Sequence, residues 1–119
     1  MSRTSPTFGL YRNGERLADA VGDARSFWQR FRGLLGRPPL APGQGLRIRP
    51  CRQVHTLGMA YPLDVVHLDR EGRVIRIEEA LPPGRVGALV RGGDSVLELP
   101  VGFCRAHGVA EGDRLRLET

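Results

Sequence analysis

The feature that most constrains this chain is its punctuation. Glycine- and proline-bearing turns cut it into about seven short runs at a spacing of roughly 8 to 12 residues. Runs that short leave no room for long helices. Where they alternate apolar and polar residues, one face goes into a core and the other into water, the period-2 pattern of strands. The strand-helix-strand alternation of a nucleotide-binding fold is absent, as is any G-x-x-x-x-G-K-[ST] loop, and the sixteen glycines sit at turns. The expected architecture is mainly β: a small β-sandwich or jelly-roll-like domain, or a barrel, with one α-helix over an end or face.

Taken in order, the runs FGLYR and ERLADAV flank Asn13-Gly14, which accepts the positive φ angles of a two-residue type I′ turn. That register sets Arg12 opposite Glu15 and Leu10 opposite Leu17. A helix is expected over Ser26–Leu35, with Ser26 and Gln29 as a capping box and Phe27, Phe31, Leu34 and Leu35 on one face. Trp28 flanks that stripe, and Gly36 with Pro38-Pro39 ends the helix. Beyond it, Gly45 to Arg49 alternates Leu46 and Ile48 inward with Arg47 and Arg49 outward. Leu63 to Asp69 and RVIRIEE form a second hairpin, Val86 to Val90 a weak strand, SVLEL a clear one and RLRLE the last. Phe103 to His107 suits a helical turn ended by Gly108.

A chain of 119 residues is one domain, expected here as residues 7–119 behind a loose tail over 1–6. No window reaches the roughly 18 consecutive apolar residues of a membrane span, and the N-terminus lacks the apolar core of an export signal. A cytoplasmic monomer is therefore expected, with Cys51 and Cys104 as free thiols. All 18 basic residues are arginine. Residues 24–63 hold seven of them and no acid, against a balance of −2 from Asp64 onward. This asymmetry suits an anionic partner, or else pairing of the central arginines with acids from the C-terminal half once folded.

Reactive side chains are densest in PCRQVHTLGMAYPLDVVHLDREG, from Pro50 to Gly72. That run, with RSFWQRFRGLLGR before it and VLELPVG and GVAEGDRL after it, resembles in order and spacing the bacterial and archaeal domain-of-unknown-function family 192. The likeness covers roughly residues 15–118. It implies a mainly β domain of jelly-roll or sandwich type and no particular activity. His67 stands where relatives often carry a large aromatic, and Cys104 lies outside the pattern.

Three chemistries fit the stretch. Cys51, His55 and Met59, at four-residue intervals, offer the thiolate, imidazole and thioether that soft ions such as copper prefer, with His67 or His107 needed as a second histidine. Core filling by Cys51 and Met59 is the simpler account, and no metal or cofactor is expected. A hydrolase would use His55 as general base, Asp64 or Asp69 as its orienting carboxylate, and Cys51 or Thr56 as nucleophile. Against that, Asp64 after Pro62 suits a carboxylate that satisfies loop amides. A binding module would converge Arg47, Arg49 and Arg52 with His55, Thr56, Met59 and Asp64 on a small anionic ligand or a protein partner. Sequence-specific nucleic-acid binding fits poorly, because aromatics for base stacking are few. The binding or accessory module, with its pocket around Cys51–Asp64, is the expectation carried forward. It requires His55 and Asp64 to stand open to solvent and close together.

Overall fold

The computed structural model of the protein describes residues 7–24 and 39–119. The tail over residues 1–6 and the helix expected over Ser26–Leu35 lie outside the described residues. Seven strands form one sheet: β1 (Phe8–Arg12), β2 (Glu15–Ala24), β3 (Gln44–Ile48), β4 (Leu63–Leu68), β5 (Val74–Leu81), β6 (Ser95–Pro100) and β7 (Arg116–Glu118). A short helix, α1 (Phe103–His107), precedes β7. The spatial order is β5-β4-β6-β3-β2-β1-β7, with β2 and β3 parallel and every other neighbouring pair antiparallel. The sheet curls into a half-barrel, so the mainly β expectation holds.

Turn chemistry accounts for both hairpins. Asn13 and Gly14 have φ of 50° and 80°, the left-handed values that Asn-Gly tolerates. Arg12 lies opposite Glu15 as expected, with a 3.6 Å ion pair. Leu10 does not face Leu17, however. A register shift between Leu10 and Tyr11 sets Leu10 opposite Ala18, because a bulge displaces every residue beyond it by one. The weak strand expected over Val86–Val90 is also corrected: that segment makes one isolated bridge, Val86 with His55, and otherwise runs as loop.

The curl brings the sheet edges together at one end. Leu115 N–H donates to Gly72 O (2.9 Å), Val74 N–H to Asp113 O (2.7 Å) and Gly112 N–H to Val74 O (2.8 Å). These bonds tie the segment before β7 to the start of β5, so that stretch of edge has its backbone groups satisfied. The inner face carries one core, with Leu10, Val21, Val66, Leu97, Leu99 and Phe103. The outer face carries a second, with Ile48, Val54, Met59, Tyr61, Leu63, Val65 and Val96, beneath the loop from β3 to β4. Period-2 alternation explains the division: Val96 belongs to one core and its neighbour Leu97 to the other. β4 is buried along its whole length, as a central strand covered on both faces must be.

Helix α1 closes one end of the half-barrel. Gly102 (φ 89°) and Gly108 (φ 61°) bracket it in left-handed conformations, and Phe103 and Cys104 point into the inner core. The opposite end, where β4 turns into β5 and β6 begins, has no such cover from α1. No described helix is long and apolar enough to cross a membrane.

Candidate functional site

A cleft of about 280 Å³ lies at that second end. Leu10, Leu68, Leu97, Leu115 and Leu117 form its floor, and Ser95 sits in its wall. Five arginines surround it: Arg47, Arg49, Arg70, Arg114 and Arg116, against Asp69, Glu71 and Asp94.

The sequence builds this rim by simple means. On β3, Gly45 faces the inner core, where an added Cβ would lie 2.8 Å from Leu99 Cδ2. Alternation therefore turns Arg47 to the same side at the end of the strand, with Arg49 just beyond it. Across the mouth, Arg114 and Arg116 alternate with the floor residues Leu115 and Leu117 in the same way. The turn between β4 and β5 supplies the third wall. Asp69 Oδ1 accepts the Glu71 and Arg73 amides, each at 2.9 Å, which folds the turn back on itself. The Arg73 amide bond, helped by that of Glu71 and the charges of Arg73 and Arg114, holds the Asp69 carboxyl below the usual range. Gly72 (φ 81°) completes the turn, and a Cβ there would meet Leu115 O at 2.6 Å.

Three exposed rim arginines hold partners of their own. Arg49 meets Asp94 at 3.1 Å, Arg114 meets Glu71 at 3.2 Å and Arg116 meets Glu118 at 3.3 Å. Such pairs contribute roughly 0 to 1 kcal/mol, so an incoming anion can take the guanidinium over at little cost. Arg47 is more firmly placed, with Nε and Nη2 each 3.1 Å from the Asp23 carboxylate. Among the described residues Arg70 has no ion-pair partner. Both Arg47–Asp23 and Arg49–Asp94 answer the charge asymmetry of the sequence, but only Arg49 takes its acid from the C-terminal half.

Of the residues singled out from the sequence, Arg47, Arg49 and Asp69 line this cleft; Cys51, Arg52, His55, Thr56, Met59 and Asp64 are not among its walls. Asp64 corrects the expectation of a solvent-open carboxylate. It is 1% exposed, with Oδ1 accepting Ala80 N–H (2.9 Å) and Oδ2 accepting Cys104 N–H (3.0 Å). It ties β4 to an irregular point of β5, where Ala80 has φ 50°, and to the first turn of α1. Thr56 is likewise sealed: its hydroxyl donates to Pro82 O and accepts Arg85 N–H (2.9 Å), which locks two loops together. Burial removes it as a nucleophile open to substrate.

Met59 lies in the outer core, and Cys51 packs against that core while its Sγ donates to Gln53 O (3.2 Å). His55 is half-buried on a two-loop ribbon, paired with Val86. Arg52 is exposed and donates from Nε to Gly93 O (3.3 Å). Among the described residues no three His, Cys, Asp or Glu groups cluster as metal ligands would. Burial, reinforced by the Asp64 charge and a hydrogen bond to it, pushes the Cys104 thiol up to about 12, so it stays protonated at neutral pH. His67 is fully buried and its Nε2 lies 3.1 Å from Glu78 Oε2, while Glu78 Oε1 accepts Ala88 N–H (2.8 Å). This pair fastens β4 and β5 to the loop before β6.

Sequence reasoning passed over Arg70, Arg114 and Arg116. The alternation RLRL was the available signal, but nothing local shows that it ends beside Arg47, almost seventy positions away.

The model of the family described as Uncharacterized ACR, COG1430 (DUF192), matches residues 10–117. The chain belongs to the DUF192 family. Two solved structures share the fold. A protein of unknown function from Novosphingobium aromaticivorans DSM 12444 has 20% identity and a TM-score of 0.78, over 92% of this chain and 82% of that one. A protein from Sinorhizobium meliloti 1021 described as a candidate transcription regulator has 26% identity and a TM-score of 0.79, over 98% of each chain. A search of curated proteins finds no match.

Proposed function

We propose that this DUF192 protein is a binding module whose arginine-rimmed mouth takes a small organic anion, a carboxylate or phosphate carrying a short aliphatic body. The observation that supports this reading is the pairing of a leucine floor with five arginines in one cleft of about 280 Å³. Small-molecule sites favour the mouths of β-barrels, an apolar lining and a few convergent polar groups. Guanidinium groups match both carboxylate and phosphate in fork geometry. The volume suits a ligand of modest size rather than a nucleotide.

A hydrolase built on His55 and Asp64 draws no support from this geometry, since both Asp64 oxygens already hold backbone amides. The test is an NMR titration of leucine methyl signals with acetate, butyrate, hexanoate, inorganic phosphate and butyl phosphate, with butylamine as the cationic control. Anions bearing an aliphatic chain should shift Leu68, Leu115 and Leu117, and R70E/R114E should weaken binding at least about tenfold, or roughly 1.4 kcal/mol. Millimolar anions that leave those methyl signals unmoved, or butylamine shifting them equally, would remove the proposal.

A further inference from the structure

The stretch richest in reactive residues reaches the mouth only at its end, from Leu68 to Gly72; its earlier part forms a ribbon on another part of the surface. Residues 52–56 run beside residues 85–90, joined by Thr56 N–H to Arg85 O (2.8 Å), Gly87 N–H to Val54 O (2.9 Å) and Val90 N–H to Arg52 O (2.9 Å). Val54 and Val90 face the interior. The bridged pair His55 and Val86 therefore share the other side, because the residues flanking a bridge alternate with it.

That ribbon exposes aliphatic side chains to an unusual degree. Leu57 is 50% exposed, Val86 63% and Leu89 72%, three of the four large hydrophobic residues standing furthest into solvent among those described. Exposed Arg52, Arg85 and Arg91 accompany them. Residues 50–63 and 80–93 contain no aspartate or glutamate. The nearest carboxylate the ribbon engages, Glu78, is turned inward to Ala88 N–H and His67, and Asp94 beyond its end is paired with Arg49. Aliphatic tips flanked by guanidinium groups that form no ion pair among the described residues constitute an apolar patch of one charge sign.

We propose that this ribbon docks on an anionic membrane surface, with Leu57, Val86 and Leu89 entering the interfacial region and Arg52, Arg85 and Arg91 meeting lipid phosphates. Charge complementarity selects that occupant. A second copy of this chain across the same face would set arginine against arginine. A specific protein partner draws its affinity chiefly from aromatic anchors in fitted pockets, and among the described residues this patch exposes no Phe, Tyr or Trp. A lipid surface asks only for apolar side chains that can be immersed and positive charge beside them.

Co-sedimentation of the full chain with vesicles tests this. Vesicles of equal parts phosphatidylglycerol and phosphatidylcholine should retain the protein at low ionic strength, and pure phosphatidylcholine should not. Each arginine near such a surface raises the partition coefficient about fivefold, so R85E/R91E should lose about 25-fold or more. V86D/L89D, at two exposed positions that leave the fold intact by circular dichroism, should lose about tenfold or more. R16E/R105E, which removes the same charge elsewhere, should retain most binding. No sedimentation with anionic vesicles overturns the proposal. So does V86D/L89D binding like the parent, or R16E/R105E losing as much as R85E/R91E, since net charge alone would then explain retention. Tighter binding to a short peptide of alternating leucine and glutamate than to vesicles would assign the ribbon to a protein partner and overturn it as well.

Discussion

Asp64→Ala isolates the claim that this carboxylate is a fastener rather than a reactive group. The substitution leaves two buried amides, those of Ala80 and Cys104, without their acceptor, and water cannot reach a site 1% exposed. A buried donor stranded in this way costs about 1 to 3 kcal/mol, and bonds to an ionised acceptor lie at the upper end, so the two together predict a loss of about 3 to 5 kcal/mol. Asp64→Asn keeps one acceptor oxygen but turns an NH2 group toward the other amide, which predicts about 2 to 3 kcal/mol. Guanidinium denaturation followed by circular dichroism reads both. With a slope of about 3 kcal/mol per molar, the Ala variant should unfold at about 1 M lower denaturant with the slope unchanged. Hydrogen exchange should accelerate at the Ala80 and Cys104 amides before it does in β6. A midpoint within about 0.5 kcal/mol of the parent would refute the fastening role, because that is the range of substitutions that touch nothing important.

Three further outcomes follow from the same geometry. At about pH 8 iodoacetamide should modify Cys51 and spare Cys104 until denaturant is added, since the Cys104 thiol ionises only near 12; mass spectrometry that finds both labelled in the folded protein contradicts this. Gly72→Ala forces a left-handed φ on a residue with a Cβ and drives that atom against Leu115 O; thermal unfolding should show a loss of at least about 2 kcal/mol. Asp69, whose folded pKa lies below its unfolded one, contributes stability above the unfolded value that disappears as pH falls through the folded value. The gap in denaturation midpoint between the parent and Asp69→Asn should therefore be widest near neutrality and close in acid; a gap independent of pH would contradict that linkage.

What the sequence determined alone was the local grammar. Asn13-Gly14 and the Asp69–Gly72 turn specified two hairpins because their backbone preferences need nothing from the rest of the chain. Gly102 and Gly108 bracket the short helix for the same reason, and alternation within each strand decided which side chains share a face. Tertiary structure decided what those side chains are for. Asp64 reads as a reactive carboxylate until Cys104, forty positions on, presents its amide. Thr56 reads as a nucleophile until the Pro82–Arg85 loop encloses it. Arg47 and Arg49 find Arg70, Arg114 and Arg116 around one mouth only because β3 runs parallel to β2 and the segment before β7 closes on the start of β5. A period of two residues is a property of the backbone and is visible in any window; which strands become neighbours is settled by burying both faces at once, and that depends on the whole chain.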